Sequence, residues 1–248
     1  MSGLFRSEWL KLRTTRTPLW MTLAMVVLVG IGAATFAGGT PAEDLQEQDW
    51  AESLASAASF VTWFALLFGI LLMTGEYRHG TITPTFLVTP RRERVLTAKV
   101  LVAAFAGTLL AAVAAAVTVA VAVPWLASRG VDVPVGGLAE NGSALLVSAG
   151  FWGALGVGVG ALLRNQVLAV VLALVWVFLG ETLVAALLDL AGVGGVGAYL
   201  PQAALGALIG ADVAGDPPPR LVAGGVALAY VGGTAALAYV ATVRRDIT

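Results

Sequence analysis

The stretch VLVAAFAGTLLAAVAAAVTVAVAV, residues 100–123, holds no charged side chain. A helix needs about 20 apolar residues to cross a hydrocarbon layer of roughly 30 Å, so this stretch alone is long enough to span a membrane. Five further apolar segments of similar length lie at residues 19–37, 54–73, 144–163, 167–188 and 221–243. We therefore predict an all-α, polytopic membrane protein with six transmembrane helices in a single domain, residues 1–248.

The amino-acid composition also indicates a membrane protein, and it argues against several classes of function. Charged residues make up 12% of the chain, whereas soluble domains carry about 25%. The net charge of −1 gives no basic field for nucleic acid. Without cysteine there is no disulfide or thiolate metal site, and the single histidine, His79, cannot form a zinc site alone. We expect neither a metal nor a cofactor.

The chain also lacks the usual motifs for chemistry on nucleotides or acyl groups. Its two lysines, Lys11 and Lys99, do not follow the glycine of a phosphate-binding loop, and there is no GxSxG nucleophile motif. We therefore expect no enzyme in this chain and no catalytic residue. Any ATP-driven activity would need a separate ATPase.

The distribution of basic residues predicts how the spans are oriented. Twelve of the fourteen lysines and arginines fall on one side of a six-span arrangement, and only Arg129 and Arg220 fall on the other. Cytoplasmic loops carry the excess of basic residues, so we expect both termini in the cytoplasm. An acidic outer loop follows span one, either solvated or a cation-attracting vestibule; its acids are Glu43, Asp44, Glu47, Asp49 and Glu52.

Glu181 is the one ionisable residue deep within a predicted span. It lies about 14 residues past the cytoplasmic start of span five, or roughly 21 Å along a helix. An ionisable residue at that depth is costly and marks a pathway or gate residue facing the bundle interior. The alternative is that span five ends near Leu179 and leaves Glu181 at the outer interface.

Three further segments have distinctive patterns. Residues 1–18 place Leu4, Phe5, Trp9 and Leu12 on one side of a helix, which is typical of an interfacial helix. Residues 189–220 are apolar but broken by glycine and proline, which indicates an outer re-entrant segment. In span four, Gly156 and Gly160 form a GxxxG pair suited to close helix packing.

The segment after span two is the most specific part of the sequence. It begins Gly75-Glu76-Tyr77-Arg78-His79-Gly80-Thr81-Ile82 and ends at Lys99. Positive-inside chemistry explains the later arginines, but it does not explain a glutamate placed directly at a membrane exit.

Together these features resemble the permeases of the ABC-2 type exporter superfamily, over essentially the whole chain. The segment EYRHGTI is similar to the E-x-x-x-G-T element that follows span two in that family. The resemblance implies that residues 75–99 form a cytoplasmic coupling loop that docks on an ATPase. Glu76 and Arg78 would then fix this loop to the N-terminal helix or to the ATPase through charged hydrogen bonds. The implied coupling residues are Glu76, Tyr77, Arg78, His79, Gly80, Thr81, Thr89, Pro90, Arg91 and Arg92.

The resemblance also implies the assembly and its work. Two ABC ATPase subunits would pair with two permeases, as a homodimer or with a related permease, in the bacterial cytoplasmic membrane. The complex would export a drug-like, lipid-like or other amphipathic substrate. The main alternative is a secondary transporter or channel without an ATPase, for which Glu181 is the only candidate coupling group. A membrane anchor or sensor and an intramembrane enzyme are further alternatives.

Overall fold

The computed structural model describes residues 2–39, 60–130, 135–209 and 217–244, and these are almost entirely helical. The acidic residues predicted for the first outer loop, and Arg245, lie outside the described residues. The α-helices are α1 (Ser2–Thr14), α2 (Arg16–Gly39), α3 (Phe60–Arg78), α4 (Ile82–Val88), α5 (Arg92–Ser128), α6 (Val135–Leu163), α7 (Gln166–Val175), α8 (Glu181–Leu190), α9 (Pro201–Ile209) and α10 (Arg220–Arg244).

Six helices in the described ranges are long and apolar enough to cross a membrane, which confirms the predicted all-α architecture. They are α2, α3, α5, α6, the continuous α7–α8 pair and α10, hereafter spans one to six. The helices extend beyond the apolar segments because helical hydrogen bonding continues into the polar interface. Span three has 37 residues, or about 55 Å, so it projects well past a hydrocarbon layer of roughly 30 Å.

Span four is the central helix of the bundle and packs between spans two and three. Small residues on all three helices allow this close approach. A Cβ placed on Gly153 would meet the carbonyl of Ala103 in span three, and a Cβ on Gly69 of span two would overlap the carbonyl of Gly153. Backbone therefore packs directly on backbone at the centre of the bundle.

The predicted GxxxG pair of span four faces span two. A Cβ on Gly156 would overlap the carbonyl oxygen of Leu66, and a Cβ on Gly160 would lie 3.0 Å from the carbonyl oxygen of Ile70. Both glycines are buried. Spans one, five and six lie around this core and expose most of their apolar side chains.

The helix of span five does not end near Leu179. After α7, residues Trp176–Gly180 form a π-helical segment, and α8 continues from Glu181 to Leu190. A π segment accommodates an extra residue within a helix without ending it. Beyond α8, a short 3₁₀ helix at Gly194–Tyr199 and the nine-residue α9 precede span six.

Candidate functional site

At one end of the bundle, here called the basic end, α1 packs against the ends of spans two and three. This end also holds α4 and the short turn at Arg164 that joins spans four and five. Aromatic contacts help to hold α1 in place. The rings of Phe5 and Trp9 meet the ring of Phe105 in span three edge-on, at centroid distances of 6.1 Å and 5.3 Å.

Four charged side chains meet beneath α1 and form a network that we call the charge clamp: Glu8, Lys11, Glu76 and Lys99. The Lys99 ammonium lies 2.6 Å from Glu8 Oε2 and 2.9 Å from Glu76 Oε1. The Lys11 ammonium lies 2.6 Å from Glu8 Oε1 and 2.7 Å from Glu76 Oε1. Two carboxylates and two ammonium groups therefore alternate around a closed, neutral set.

Three members of the charge clamp are shielded from solvent. The side chain of Lys99 is 0% exposed, that of Glu8 2% and that of Glu76 8%, while that of Lys11 is 44% exposed. A buried charge is tolerated only when it is paired and hydrogen-bonded. Each ammonium contacts both carboxylates, so every charge of the clamp is paired, although Glu76 Oε2 is buried without a hydrogen-bond partner among the described residues.

The pKa values of the α1 residues show that the clamp favours the charged forms. Burial raises the pKa of the Glu8 carboxyl, but the ammonium groups of Lys99 and Lys11 outweigh burial and leave that pKa below its ordinary value. Burial lowers the pKa of Lys11, but hydrogen bonds to Glu76 and Glu8 outweigh it, so the pKa is raised. Both groups are therefore held ionised at neutral pH.

The clamp joins three helices that are distant in sequence. Glu8 and Lys11 belong to α1, Glu76 to the end of span two and Lys99 to span three. The sequence predicts that Glu76 contacts either the N-terminal helix or the ATPase. In the structure its carboxylate accepts a hydrogen bond from Lys11 of the N-terminal helix. Lys99, interpreted from the sequence as the end of a loop, lies two turns inside span three.

The E-x-x-x-G-T spacing has a local structural reason. Gly80 adopts a φ of 66°, the left-handed conformation that glycine accepts most readily. The Thr81 amide donates to the Glu76 carbonyl at 2.9 Å, and the Gly80 amide donates to the Tyr77 carbonyl at 3.3 Å. These two bonds form a Schellman motif, which ends span two and satisfies its last carbonyls. The element thus ends the helix one turn after the clamp glutamate.

The neighbouring predicted residues have separate roles around the helix end. Arg78 donates to the Gln166 side chain of span five at 3.3 Å. The aromatic ring of Tyr77 lies beneath the guanidinium of Arg164, whose carbon is 5.6 Å from the ring centroid. Arg164 also donates to the carbonyl of Ala241 in span six at 2.7 Å. His79 is exposed.

The rest of the predicted coupling segment forms the surface of the basic end. In α4, Ile82 is buried and Phe86 is half-buried, with the guanidinium carbon of Arg92 5.1 Å from the Phe86 ring centroid. The Thr89 amide donates to the Thr85 carbonyl of α4 at 3.0 Å, and Thr89 is half-buried. Pro90 and Arg91 are exposed. Residues 75–99 are therefore mainly helical, and buried side chains such as Ile82 and Lys99 hold them against the bundle.

Glu181 lies in the half of span five away from the basic end and is separate from the charge clamp. Its carboxylate accepts hydrogen bonds from the backbone amides of Gln202 and Ala203, at the N-terminus of α9. It is half-buried. The predicted coupling residues thus lie at the basic end, and the predicted gate residue Glu181 lies in a separate region.

Sequence reasoning missed Glu8 as a site residue and assigned Lys99 to the coupling loop only by position. A signal was present, because Glu8 interrupts the apolar face of an amphipathic helix and Lys99 directly precedes the longest apolar stretch. Opposite charges at the edges of two predicted helices suggest pairing across them. No group of histidine and acidic residues suited to a metal ion occurs in the part of the chain that the structure describes.

A helical bundle with six spans and a charged cluster joining its N-terminal helix to two spans defines a multi-pass membrane protein. The sequence model of the ABC-2 family transporter protein matches residues 4–180, which is more than half of the chain. The chain belongs to the ABC-2 transporter family, and the resemblance predicted from sequence is confirmed. It is therefore an ABC-type permease, a family that works with an ABC ATPase. No curated protein matches the chain.

Proposed function

We propose that this chain is the membrane-spanning subunit of an ATP-driven exporter, with its basic end in the cytoplasm of a bacterial cell. Two copies, or one copy and a related permease, would assemble with two ATPase subunits in the cytoplasmic membrane. The observation that carries this proposal is the charge clamp. It joins α1, span two and span three into one unit at the end of the bundle where a cytoplasmic motor would bind.

The surface of α4 supports a docking role. Leu87 and Val88 are 77% and 85% exposed, although both are apolar, while Ile82 anchors the other face of the helix. Exposed Arg91 and Arg94 follow directly. This surface fits an apolar groove with an acidic rim on an ATPase, because apolar anchors supply most of the binding energy and charged rims steer association.

The clamp gives this docking surface a rigid connection to the membrane. When ATP binding moves the ATPase against α4, the displacement passes to the end of span two and the start of span three. Glu76 and Lys99 contact each other directly, and Glu8 and Lys11 of α1 hold both of them. Spans two and three flank the central span four. The bundle therefore responds as two discrete packings rather than by gradual deformation.

An amphipathic cargo is consistent with the walls of the bundle. An open groove of about 550 Å³ lies between spans one, two and five, within the half of the bundle near the basic end. Trp20, Met21, Phe64, Leu67 and Leu71 line it, and Thr17 supplies a polar edge. We propose that drug-like or lipid-like molecules enter here from the cytoplasmic leaflet.

Coupling is tested with Glu76→Ala in the permease reconstituted with the ATPase that co-purifies with it. Removing the carboxylate frees Lys11 and Lys99 from span two, so we expect ATP hydrolysis to continue while transport falls at least tenfold. Glu93→Ala, an exposed acid on the same side, is the matched control. Normal transport per ATP in the Glu76 variant would refute the coupling role.

Docking is tested separately by co-purification. Leu87→Asp with Val88→Asp places two charges on the apolar anchor, and we expect the ATPase to be lost from the purified complex. Thr83→Asp, an exposed substitution on the same helix, is expected to retain it. If no ATPase accompanies even the unaltered protein, the exporter assignment gives way to a secondary transporter, channel or sensor.

A further inference from the structure

The outer part of span five holds a charged contact that neither the family match nor the charge clamp explains. Glu181 Oε1 accepts hydrogen bonds from the amides of Gln202, at 2.8 Å, and Ala203, at 2.9 Å. Its Oε2 accepts from Gln202 at 3.0 Å. The region matched by the family model stops at residue 180, directly before this glutamate.

The contact completes the N-terminus of α9. The first turn of any helix leaves backbone amides without partners. In α9 the first residue is Pro201, which has no amide hydrogen, and Glu181 accepts from the next two residues. The following amide, of Ala204, donates to the Leu200 carbonyl at 2.8 Å. One carboxylate from span five therefore satisfies the amide donors at the start of α9, in a position where the helix dipole favours negative charge.

The hydrogen bonds to α9 explain why a charged side chain is tolerated at this point of span five. Glu181 lies nine residues before the end of span five at Leu190, or about 14 Å along the helix. Backbone amides at that depth would otherwise lack partners in hydrocarbon, and so would the carboxylate. The carboxylate and the two amides satisfy each other's hydrogen bonds, so the free-energy cost of burying either group is reduced and α9 is joined to span five at this point.

A π-helical segment of span five lies immediately before the contact. The π-helical segment Trp176–Gly180 ends where α8 begins at Glu181. The ring of Trp176 packs so closely on Gly180 that a Cβ there would lie 2.8 Å from it. π segments are common sites of helix bending. Bending here would change the position of Glu181 relative to α9.

A more extensive contact, made by apolar side chains, holds the same region on span six. The Tyr230 hydroxyl donates to the carbonyl of Tyr199, just before α9, at 3.0 Å. Leu208 of α9 packs near Gly224 of span six. The outer helix α9 is therefore held between two spans, by a charged contact on one side and by a neutral hydrogen bond with apolar packing on the other.

We propose that Glu181 is a positioning residue that holds α9 closed across the outer ends of spans five and six. Bending of span five at the π segment withdraws the carboxylate, frees the first turn of α9 and opens the outer end of the path. This inference rests on the proposed export function for its direction. It identifies Glu181 as the clasp of an outer gate, not as a group that binds cargo.

The natural absence of cysteine provides a direct test. Ala204 lies in α9 and is fully buried. In Ala204→Cys permease reconstituted in liposomes, reaction with a membrane-impermeant maleimide reports opening of α9. We expect Glu181→Gln, which removes the charge and one acceptor, to accelerate labelling by at least about tenfold, since hydrogen bonds to charged groups are the stronger ones. Tyr230→Phe should accelerate it less than threefold.

Ala114→Cys, a fully buried position in span three, is the control for general loosening. An unchanged labelling rate at position 204 in Glu181→Gln would overturn the proposal. So would equal acceleration at positions 114 and 204, because that result would mean a loosened bundle rather than an opened gate. Labelling needs neither ATPase nor substrate. The labelling experiment can therefore reject the role of Glu181 while the exporter assignment stands, and loss of the exporter assignment would not change the labelling result.

Discussion

Replacing Lys99 with methionine tests whether the charge clamp holds the basic end together. The substitution keeps the length of the side chain but removes an ammonium with 0% exposure that lies 2.6 Å from Glu8 and 2.9 Å from Glu76. Removing one partner of a buried ion pair costs about 3–5 kcal/mol, because the remaining charge stays buried. We expect about 3 kcal/mol, the lower end of that range, because Lys11 still contacts both carboxylates.

The assay is thermal unfolding of the detergent-purified protein, in which a loss of this size lowers the midpoint by on the order of 10 °C. The double variant Lys99→Met with Glu8→Gln removes the unpaired charge, so it should recover about 1–2 kcal/mol of the loss. Arg94→Met, an exposed position on the same helix, is the control. The reasoning is refuted if Lys99→Met is no more harmful than Arg94→Met, or if the double variant shows the sum of both losses.

Two further predictions concern the charge clamp and the core of the bundle. The pKa of Glu8 is held below its ordinary value of 4.5, so the stability that its charge supplies is complete above pH 4.5 and is lost as the pH falls toward the lowered pKa. On acidification to about pH 3.5, the melting temperature should therefore fall less in Glu8→Gln than in Glu93→Gln. Equal falls in the two variants would contradict this. Gly156→Leu should destabilise the bundle by more than about 2 kcal/mol, since even a Cβ would overlap the carbonyl of Leu66. Gly225→Leu, with open space around it, is the control, and equal melting points would count against close packing.

The architecture was largely predictable because the bilayer imposes a strong constraint on sequence. A run such as residues 100–123 has few alternatives to a membrane helix, and the five other apolar segments follow the same rule. The ends of the helices were less predictable, since hydropathy marks the hydrocarbon and not the helix. Span three accordingly begins at Arg92, eight residues before its apolar stretch.

The sites were only partly predictable because their contacts join distant residues. Glu76 was singled out by its position at a membrane exit, but its partners Lys11 and Lys99 had no sequence pattern linking them to it. Glu181 was noticed because charge is rare within a span, yet its partners are backbone amides, which any sequence provides. Only the three-dimensional arrangement shows that Glu181 meets the N-terminus of α9.

The sequence separation within the charge clamp has a consequence for biosynthesis. Glu8 is made first, and Lys99, its most buried partner, follows 91 residues later. During translation the N-terminal helix therefore remains at the membrane surface with Glu8 paired only to Lys11 until the third span has entered the bilayer. Docking of α1 is thus a late event in insertion, and it occurs only after the segments it joins have taken their places.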